Sequence, residues 1–258
     1  MRAMHTFRHA ILRAPAPHFA GGITTVAWTE PPSHARLLAQ HQAYAQGLRA
    51  AGLSVEILPA LDGFPDAYFV EDVAVVLPEL AVVTRPGAEA RRGETEHIVA
   101  ALAAHRELVQ LEAPATLDGG DVMVLGRRVF VGLSARTNAA GVAALQGVLE
   151  RVGYTVCAIP VAAGLHFKSS VNLVGHDTLV ATAAFAGRPE FHGLEVIEVS
   201  DAEAYAANIL RVNDHVLVAA GFPELAGKLR ARGFGLIVLN MSEVEKMDGG
   251  LSCLSLRF

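Results

Sequence analysis

Four short polar segments of the chain contain the residue types that nucleophilic catalysis uses. They read FPDAYFVED (64–72), TLDGGD (116–121), LHFKSS (165–170) and MDGGLSC (247–253), and together they supply carboxylates, an imidazole and a thiol. A thiol becomes a strong nucleophile when its surroundings help to ionise it. A cysteine, a histidine and several carboxylates that converge on one cleft are therefore typical of a covalent catalytic site.

The two cysteines differ in their sequence surroundings. Cys253 follows Gly249 and Gly250 near the C-terminus, which is typical of a reactive thiol in a loop. Cys157 lies within the apolar run YTVCAIP, which predicts a structural cysteine in a strand. Their separation and small number do not resemble a disulfide framework, so we expect a reducing, cytoplasmic location.

Composition narrows the class of protein. The 258 residues are 52% hydrophobic and 18% charged, which is enough apolar material for one sizeable domain spanning residues 1–258. The net charge of −5, without a basic block, argues against nucleic acid as a partner and suits a cationic small molecule. The N-terminal segment MRAMHTFRHAILRAPAP is interrupted by Arg8, His9 and Arg13, so we expect neither a signal peptide nor a membrane contact.

Pairs of apolar runs around a polar turn recur along the chain. Such pairs occupy residues 69–84, 120–133, 171–182 and 208–220. Each run is rich in Val, Ile and Leu, and the turns contain Gly, Asn or Asp, which together predict β-hairpins. Residues just before or at the start of each hairpin should then share one location in the fold.

Each hairpin is followed by a helical stretch and one more strand. The helices are clear in GETEHIVAALAAH, ARTNAAGVAALQGVLERVG and PELAGKLRARG, and less clear near residues 188–193. A fifth unit can be assembled from CLSLRF, FRHAILRAP, a helix at 33–51 and the strand LSVEILP. We therefore predict a fivefold pseudo-symmetric α/β propeller of strand-strand-helix-strand units, closed by both termini, in preference to an ordinary α/β sheet.

Six motifs in order resemble one known superfamily. They are FPDAYFVED, TRPGAEARRGETE, TLDGGD, GLSARTN, GLHFKS and MDGGLSC. The chain is similar to the guanidino-group-modifying enzymes, which share the pentein fold, and within them to the dimethylarginine dimethylaminohydrolases. This resemblance implies hydrolysis of Nω-methylated arginines to citrulline plus dimethylamine or methylamine, through a covalent cysteine thiouronium and without a cofactor.

The resemblance also implies roles for the reacting groups. Cys253 would be the nucleophile, and His166 would protonate the departing amine and then activate water. Asp72 and Asp118 would grip the guanidinium, and Asp118 would also orient His166. Some family members carry glutamate at the position of Asp118, so the carboxylate side chain here is one methylene shorter. We further expect ionisation of the thiol to be assisted by the positive charge of the substrate.

The remaining expected substrate contacts surround these groups. Arg91 and Arg136 would hold the substrate α-carboxylate, and Asp66 its α-amino group. Phe69 would pack on the guanidinium, and Ile23 would belong to a covering lid in HFAGGIT (18–24). Three further assignments complete the expected substrate site: Glu71, Met247 and Asp248. Glu71 should face away from Asp72 if both lie on a strand.

Some residues and partners are expected to be structural or absent. Asp121 could fix a loop, and Glu94 should charge the start of the following helix. No resident metal is predicted, and zinc bound by Cys253 and His166 would inhibit. The chain would act as a monomer or homodimer.

Two other functions fit parts of the pattern. An arginine deiminase would use the same thiol, histidine and carboxylates, although those enzymes carry an additional helical insertion. A non-catalytic pentein, such as a ribosome-binding translation factor or a cationic amino-acid binding protein, would not need Cys253, His166 and both arginines.

Overall fold

A computed structural model describes residues 6–161 and 164–258 of the protein. The strands in these residues form five three-stranded sheets. The first strands are β3 (Ala74–Val76), β6 (Val122–Leu125), β9 (Val171–Leu173), β12 (Leu210–Val212) and β15 (Leu256–Arg257). The middle strands are β4 (Leu80–Val83), β7 (Arg128–Leu133), β10 (Thr178–Thr182), β13 (His215–Ala219) and β1 (His9–Arg13). The third strands are β5 (Glu107–Gln110), β8 (Thr155–Pro160), β11 (Glu195–Val199), β14 (Gly235–Leu239) and β2 (Ser54–Leu58).

All five sheets have the same topology. Each middle strand pairs antiparallel with the first strand and parallel with the third. The first strands contact one another between sheets, as β3 does with β15 and β9 with β6 and β12, so they surround the common axis. The predicted fivefold α/β propeller is confirmed, including the unit in which β15 and β1 join the two ends of the chain.

The helices lie between the second and third strands of each unit. They are α1 (His34–Ala50), α2 (Val99–Ala103), α3 (Ala139–Glu150), α4 (Ala183–Ala186), α5 (Pro223–Ala231) and, after β14, α6 (Ser242–Glu245). Side chains cap α1 and α3: Ser33 accepts from the Arg36 N–H, and Asn138 accepts from the Gly141 N–H. These caps explain why the sequence located both helices well.

Two predicted helices differ from the structure. The stretch GETEHIVAALAAH contains only the five-residue α2, because a 3₁₀ helix occupies Glu89–His97 before it. The prediction of a helix near 188–193 is wrong, because α4 ends at Ala186 and Pro189–Phe191 form a single 3₁₀ turn. Proline at the first position of that turn suits a helical start but lacks the N–H that a longer helix would use.

A 3₁₀ helix precedes the first strand of every unit. These helices are Val70–Val73, Gly119–Asp121, Phe167–Ser169, Asp201–Ala207 and Ser252–Leu254. The first hairpin is accordingly shorter than predicted, because residues 70–73 are helical and β3 begins at Ala74. Since the first strands surround the axis, these five helices bring their polar side chains to one end of it.

None of the helices in residues 6–161 and 164–258 combines the length and hydropathy that a bilayer crossing requires. The first five residues of the segment that we interpreted as lacking a signal peptide lie outside the described part of the chain.

The sheet that joins the two ends offers a matched test of core packing. Ile11 on β1 is 1% exposed and belongs to a core cluster that includes Leu256 and Phe258 near the C-terminus, whereas Ile57 on the neighbouring β2 is 40% exposed. We expect Ile11→Ala to lower the free energy of unfolding by about 2–5 kcal/mol through lost burial and a residual cavity. Ile57→Ala should cost about 1 kcal/mol or less. Urea unfolding of both variants checks this, and equal losses would contradict the assigned packing of β1.

Candidate active site

The sequence-predicted residues converge on one cavity at the end of the propeller axis. Its volume is about 20 Å³, which is room for about one water molecule. It is lined by Ile23, Asp66, Phe69, Asp72, Arg91, Arg136, Leu165, His166, Met247, Asp248, Gly249 and Cys253. Two predicted site residues are not part of this lining: Asp118 lies directly behind His166, and Glu71 lies elsewhere.

Paired glycines allow the 3₁₀ turns to approach one another. A Cβ atom on Gly120 would lie 2.8 Å from both Asp72 Oδ1 and His166 Nδ1, which is closer than real side chains pack. With glycine there, its N–H donates to Asp72 Oδ1 at 3.0 Å. The neighbouring Asp121 accepts from Ser134, Thr137 and the Phe167 N–H, so the structure agrees with its predicted role in fixing a loop.

His166 is held between two carboxylates. Its Nε2 lies 2.9 Å from Asp118 Oδ2 and 3.8 Å from Asp72 Oδ1. The aspartate at position 118 therefore reaches the imidazole despite its short side chain. Its other oxygen accepts from the Gly87 N–H at 2.9 Å, which fixes the carboxylate plane. Arg136 Nη1 lies 3.8 Å from Asp118 Oδ2, so this arginine borders the same group.

The charge of His166 follows from these neighbours. Burial acts to lower the pKa of His166, but the negative charges of Asp72, Asp121 and Asp118 and the hydrogen bond to Asp118 raise it to about 9. The imidazole is therefore protonated at neutral pH and can serve as a proton donor. Burial opposes ionisation of Asp72, yet His166 and Arg91 hold the pKa of that carboxyl below its usual range.

Arg91 is largely occupied by internal partners. Its Nη1 donates to Asp72, and its Nε and Nη2 donate to the two Glu94 oxygens at 2.9 and 2.8 Å. Nη2 also contacts the carbonyl oxygens of Asp66 and Phe69. Only one Nη1 hydrogen lacks a partner within the described residues, so the expected bidentate grip on an α-carboxylate is not available to Arg91. The expectation that Glu94 serves the following helix is also wrong, because its carboxylate binds Arg91.

The Cys253 sulfur is surrounded by polar groups and lies near two negatively charged side chains. The Gly250 N–H points to Sγ at 3.4 Å, Asn208 Nδ2 lies at 3.8 Å and Ser252 Oγ at 4.0 Å. Burial, with the charges of Glu71 and Asp72, raises the pKa of Cys253 to about 12. The resting thiol therefore keeps its proton at neutral pH, and a cation beside it would favour ionisation.

Glu71 was predicted to contact substrate but faces away from the cavity. Its carboxylate binds Lys168 Nζ at 2.7 Å, Ser252 Oγ at 2.8 Å and Arg257 Nη2 at 3.3 Å. These groups border a second cavity of about 790 Å³ that the first strands surround. The prediction that Glu71 belongs to the substrate site is therefore wrong. Glu71 and Asp72 do diverge as expected, but the reason is a 3₁₀ helix, in which successive side chains differ by about 120°.

The segment expected to form a lid closes over the cavity. The Ile23 N–H donates to both Asp66 oxygens at 3.0 and 3.2 Å, and Ile23 lines the cavity. Asp248 Oδ2 accepts from the side chains of Thr24 and Thr25 at 3.2 and 3.0 Å. A Cβ on Gly22 would lie 2.3 Å from Asp66 Oδ1, so glycine is required for this closure. Burial raises the pKa of Asp66.

Sequence reasoning missed two residues at the site. Leu165 lines the cavity beside His166, and Asn208 contacts the Cys253 sulfur. Asn208 begins the fourth predicted hairpin, the same place at which the other units contribute their functional groups. The rule that residues at hairpin starts share one location therefore pointed to it, although amide side chains were not considered.

The carboxylates and the imidazole could geometrically surround a metal ion. Ligand atoms of Asp72, Asp118 and His166 lie within 4.8 Å of one another. Asp72 already binds Arg91 and the Gly120 N–H, and Asp118 binds the Gly87 N–H. Because these oxygens already have partners, the three residues do not offer a metal ion a ready set of ligands. A carboxylate held in a fixed plane can still accept hydrogen bonds from a planar organic cation.

A fivefold α/β propeller with a thiol, an imidazole and carboxylates at one end of its axis is an enzyme of the cysteine-dependent pentein class. Residues 29–253 match the family model described as N,N dimethylarginine dimethylhydrolase, eukaryotic. The chain belongs to the dimethylarginine dimethylaminohydrolase family.

Relatives cover nearly the whole chain. N(G),N(G)-dimethylarginine dimethylaminohydrolase of Pseudomonas aeruginosa is 38% identical over 254 residues, covering 98% of this chain and all of that protein. The enzyme of the same name from Streptomyces coelicolor is 38% identical over 256 residues, and the match covers 97% of this chain and 96% of that protein. The structure of the Pseudomonas aeruginosa enzyme, as a cysteine-to-serine mutant complexed with citrulline, matches with a TM-score of 0.96 at 37% identity, covering 98% of this chain and 100% of that one.

The raised pKa of His166 can be measured directly. We expect its NMR titration to have a midpoint near pH 9 and Asp118→Asn to lower that midpoint toward the ordinary value of about 6.5. Since the folded pKa exceeds the unfolded one, the stability contributed by His166 is complete below about pH 6.5 and is lost as pH rises through 9. His41 is the control, because burial lowers its pKa to about 4. A midpoint for His166 at or below 6.5 would contradict the assigned contacts.

Proposed function

We propose that the protein hydrolyses Nω-methylated arginines, asymmetric dimethylarginine and monomethylarginine, to citrulline and dimethylamine or methylamine. The observation that carries this proposal is the convergence of Cys253, the His166–Asp118 pair and Asp72 at one cavity. Membership of the family and the names of its relatives support the same reaction.

The substrate would lie along the cavity with its guanidinium at Cys253. Asp72 would accept hydrogen bonds from its unmethylated N–H groups, and Phe69 would pack against its flat face. The predicted contact of Asp118 with the guanidinium is not retained, because its two oxygens bind the Gly87 N–H and His166 Nε2 behind the cavity wall. At the other end, Asp66 would receive the α-amino group. Arg136 would bind the α-carboxylate, with the single remaining N–H of Arg91 as a secondary contact.

Several lining residues would enclose the substrate without reacting. Ile23 and Met247 supply apolar walls, and Asp248 holds the Thr24–Thr25 segment over the cavity. This segment would open to admit substrate and close afterwards, which would also exclude bulk water during reaction. The Ile23 N–H would give up part of its contact with Asp66 when an ammonium group arrives.

The first chemical step would form a bond between Cys253 sulfur and the guanidinium carbon. The arriving cation offsets the charges of Glu71 and Asp72, so the thiol releases its proton to solvent as substrate binds. Attack of the thiolate gives a neutral tetrahedral species. His166, already protonated, transfers its proton to the methylated nitrogen, the carbon–nitrogen bond breaks, and a cationic thiouronium and a neutral amine result.

The second step would hydrolyse the thiouronium. His166, now neutral, accepts a proton from a water molecule that occupies the place left by the amine. The hydroxyl adds to the carbon, and collapse of the second tetrahedral species breaks the carbon–sulfur bond. The hydroxyl proton passes to the departing Cys253 sulfur, which restores the resting thiol and leaves the neutral ureido group of citrulline. Asp118 would keep the imidazole oriented through both proton transfers.

The working unit of the protein is also part of the proposal. We infer one catalytic domain spanning residues 1–258, because the cavity takes residues from units distributed over the whole described chain. We propose a cytoplasmic enzyme that needs no cofactor, acts as a monomer or homodimer and has no nucleic-acid partner, in keeping with its acidic charge and isolated cysteines.

The reaction is tested by assaying citrulline from asymmetric dimethylarginine and, separately, from arginine. We expect citrulline from dimethylarginine and none with Cys253→Ser, because the hydroxyl is a far weaker nucleophile. Citrulline mainly from arginine would instead establish a deiminase with the same site. No citrulline from either substrate under reducing, zinc-free conditions would refute the proposed hydrolysis.

The different positions of Asp72 and Glu71 predict different kinetics. Asp72→Asn should lower kcat/KM by roughly 100-fold or more, because it removes a charged acceptor for the guanidinium. Glu71→Gln should change KM less than about threefold and should move the pH–rate profile to lower pH, since its charge raises the pKa of Cys253. Steady-state kinetics from pH 6 to 10 distinguish the two. A large KM increase with Glu71→Gln would restore that residue to the substrate site.

A further inference from the structure

In the fourth unit, Asn208 lies directly beside the 3₁₀ helix, just as the functional residues of the other units lie within or beside theirs. It follows the helix Asp201–Ala207, is separated from β12 by Ile209, and its side chain reaches the Cys253 loop. Its side chain is buried against the Cys253 loop. The mechanism described so far assigns it no role.

The orientation of the Asn208 amide is determined by its neighbours. The backbone N–H of Ser252 donates to Asn208 Oδ1 at 3.0 Å. Because a backbone N–H can only donate, the carbonyl end of the amide must face Ser252. The NH₂ end is thereby directed to the Cys253 sulfur, with Nδ2 3.8 Å from Sγ.

The neighbouring glycine makes this contact possible. A Cβ atom on Gly250 would lie 2.3 Å from both Cγ and Nδ2 of Asn208, so a larger residue would push the amide away. The Gly250 N–H itself points to Sγ at 3.4 Å. The sulfur is thus bordered by two N–H donors on one side, while the nearby charged side chains Glu71 and Asp72 are carboxylates.

We propose that Asn208 is a catalytic residue whose amide N–H, together with the Gly250 N–H, stabilises the Cys253 thiolate and fixes the sulfur for attack. This inference rests on the proposed function in that Cys253 is taken as the nucleophile. A contact of 3.8 Å to a neutral thiol is long, but an anionic sulfur is a much stronger acceptor and shortens such contacts. Two fixed donors offset part of the repulsion from the carboxylates at the moment the thiolate forms.

Three substitutions separate the parts of this role. Asn208→Asp keeps an oxygen facing the Ser252 N–H but presents no amide to the sulfur. Asn208→Ser removes the amide without adding a buried charge. Asn208→Leu removes both contacts. Because the Asp carboxylate would itself disfavour the thiolate, the uncharged Ser variant carries the comparison. If Asn208 only supports the loop, Cys253 in a folded Ser variant should be alkylated as fast as in the wild type.

The first measurement is the rate of alkylation by iodoacetamide from pH 7 to 10, followed by mass spectrometry of the Cys253 peptide. In this reaction the sulfur displaces iodide and the thiol proton goes to solvent, so the rate reports the thiolate fraction. We expect Cys253 to react at least tenfold more slowly in the Asp variant and severalfold more slowly in the Ser variant. Cys157, remote on β8, is the internal reference and should be unchanged.

The second measurement is steady-state kinetics with dimethylarginine. Since Asn208 does not line the cavity, we expect kcat to fall at least tenfold and KM to change less than threefold. Unfolding cannot mimic the expected alkylation result, because it would expose both cysteines and speed their reaction. Wild-type alkylation rates and kcat in folded Asp and Ser variants would overturn the proposal. If the wild type makes no citrulline, the proposed function fails separately, and alkylation still decides the role of Asn208.

Discussion

The buried ion pair between Asp72 and Arg91 is the interaction on which the active end of the propeller depends. A carboxylate removed from water is costly unless a cation and hydrogen-bond donors satisfy it. Arg91 supplies the cation, and Gly120 supplies a backbone N–H. Asp72 can therefore remain ionised beside the cavity, where its second oxygen faces His166. Arg91 in turn needs Glu94, and the network leaves this arginine little capacity for a ligand.

The same negative charges control the thiol. Carboxylates that attract a guanidinium also disfavour the thiolate, so the free site holds Cys253 protonated and His166 positively charged. In the proposed mechanism this arrangement would link reactivity to occupancy, because a cationic ligand would offset the charges next to the sulfur. A neutral electrophile that enters the cavity would meet a thiol rather than a thiolate. Selectivity for cationic amidines would then depend on the electrostatics as well as on cavity shape.

Fivefold repetition explains how residues far apart in sequence reach one site. Each unit places a 3₁₀ helix before its first strand, and the first strands surround the axis. Residues within or beside these 3₁₀ helices therefore reach the same end of the molecule from every unit. The opposite carboxylate, Glu71, belongs to a second network with Lys168 and Arg257, which holds Ser252 and thereby the loop of Cys253 from behind.

Much of the fold and the principal site residues followed from the sequence alone. Hairpin periodicity identified the units and their closure by both chain ends, because alternating apolar runs and turn residues are local signals. The motifs around Cys253 and His166 located the cavity correctly. Tertiary structure alone decided that Glu71 faces away, that Arg91 is satisfied internally and that Asn208 contacts the sulfur. These outcomes depend on the direction of a 3₁₀ turn and on partners up to 186 positions away, as for Glu71 and Arg257. Local sequence does not encode which distant group satisfies a buried charge or amide, so only the assembled ring could determine those contacts.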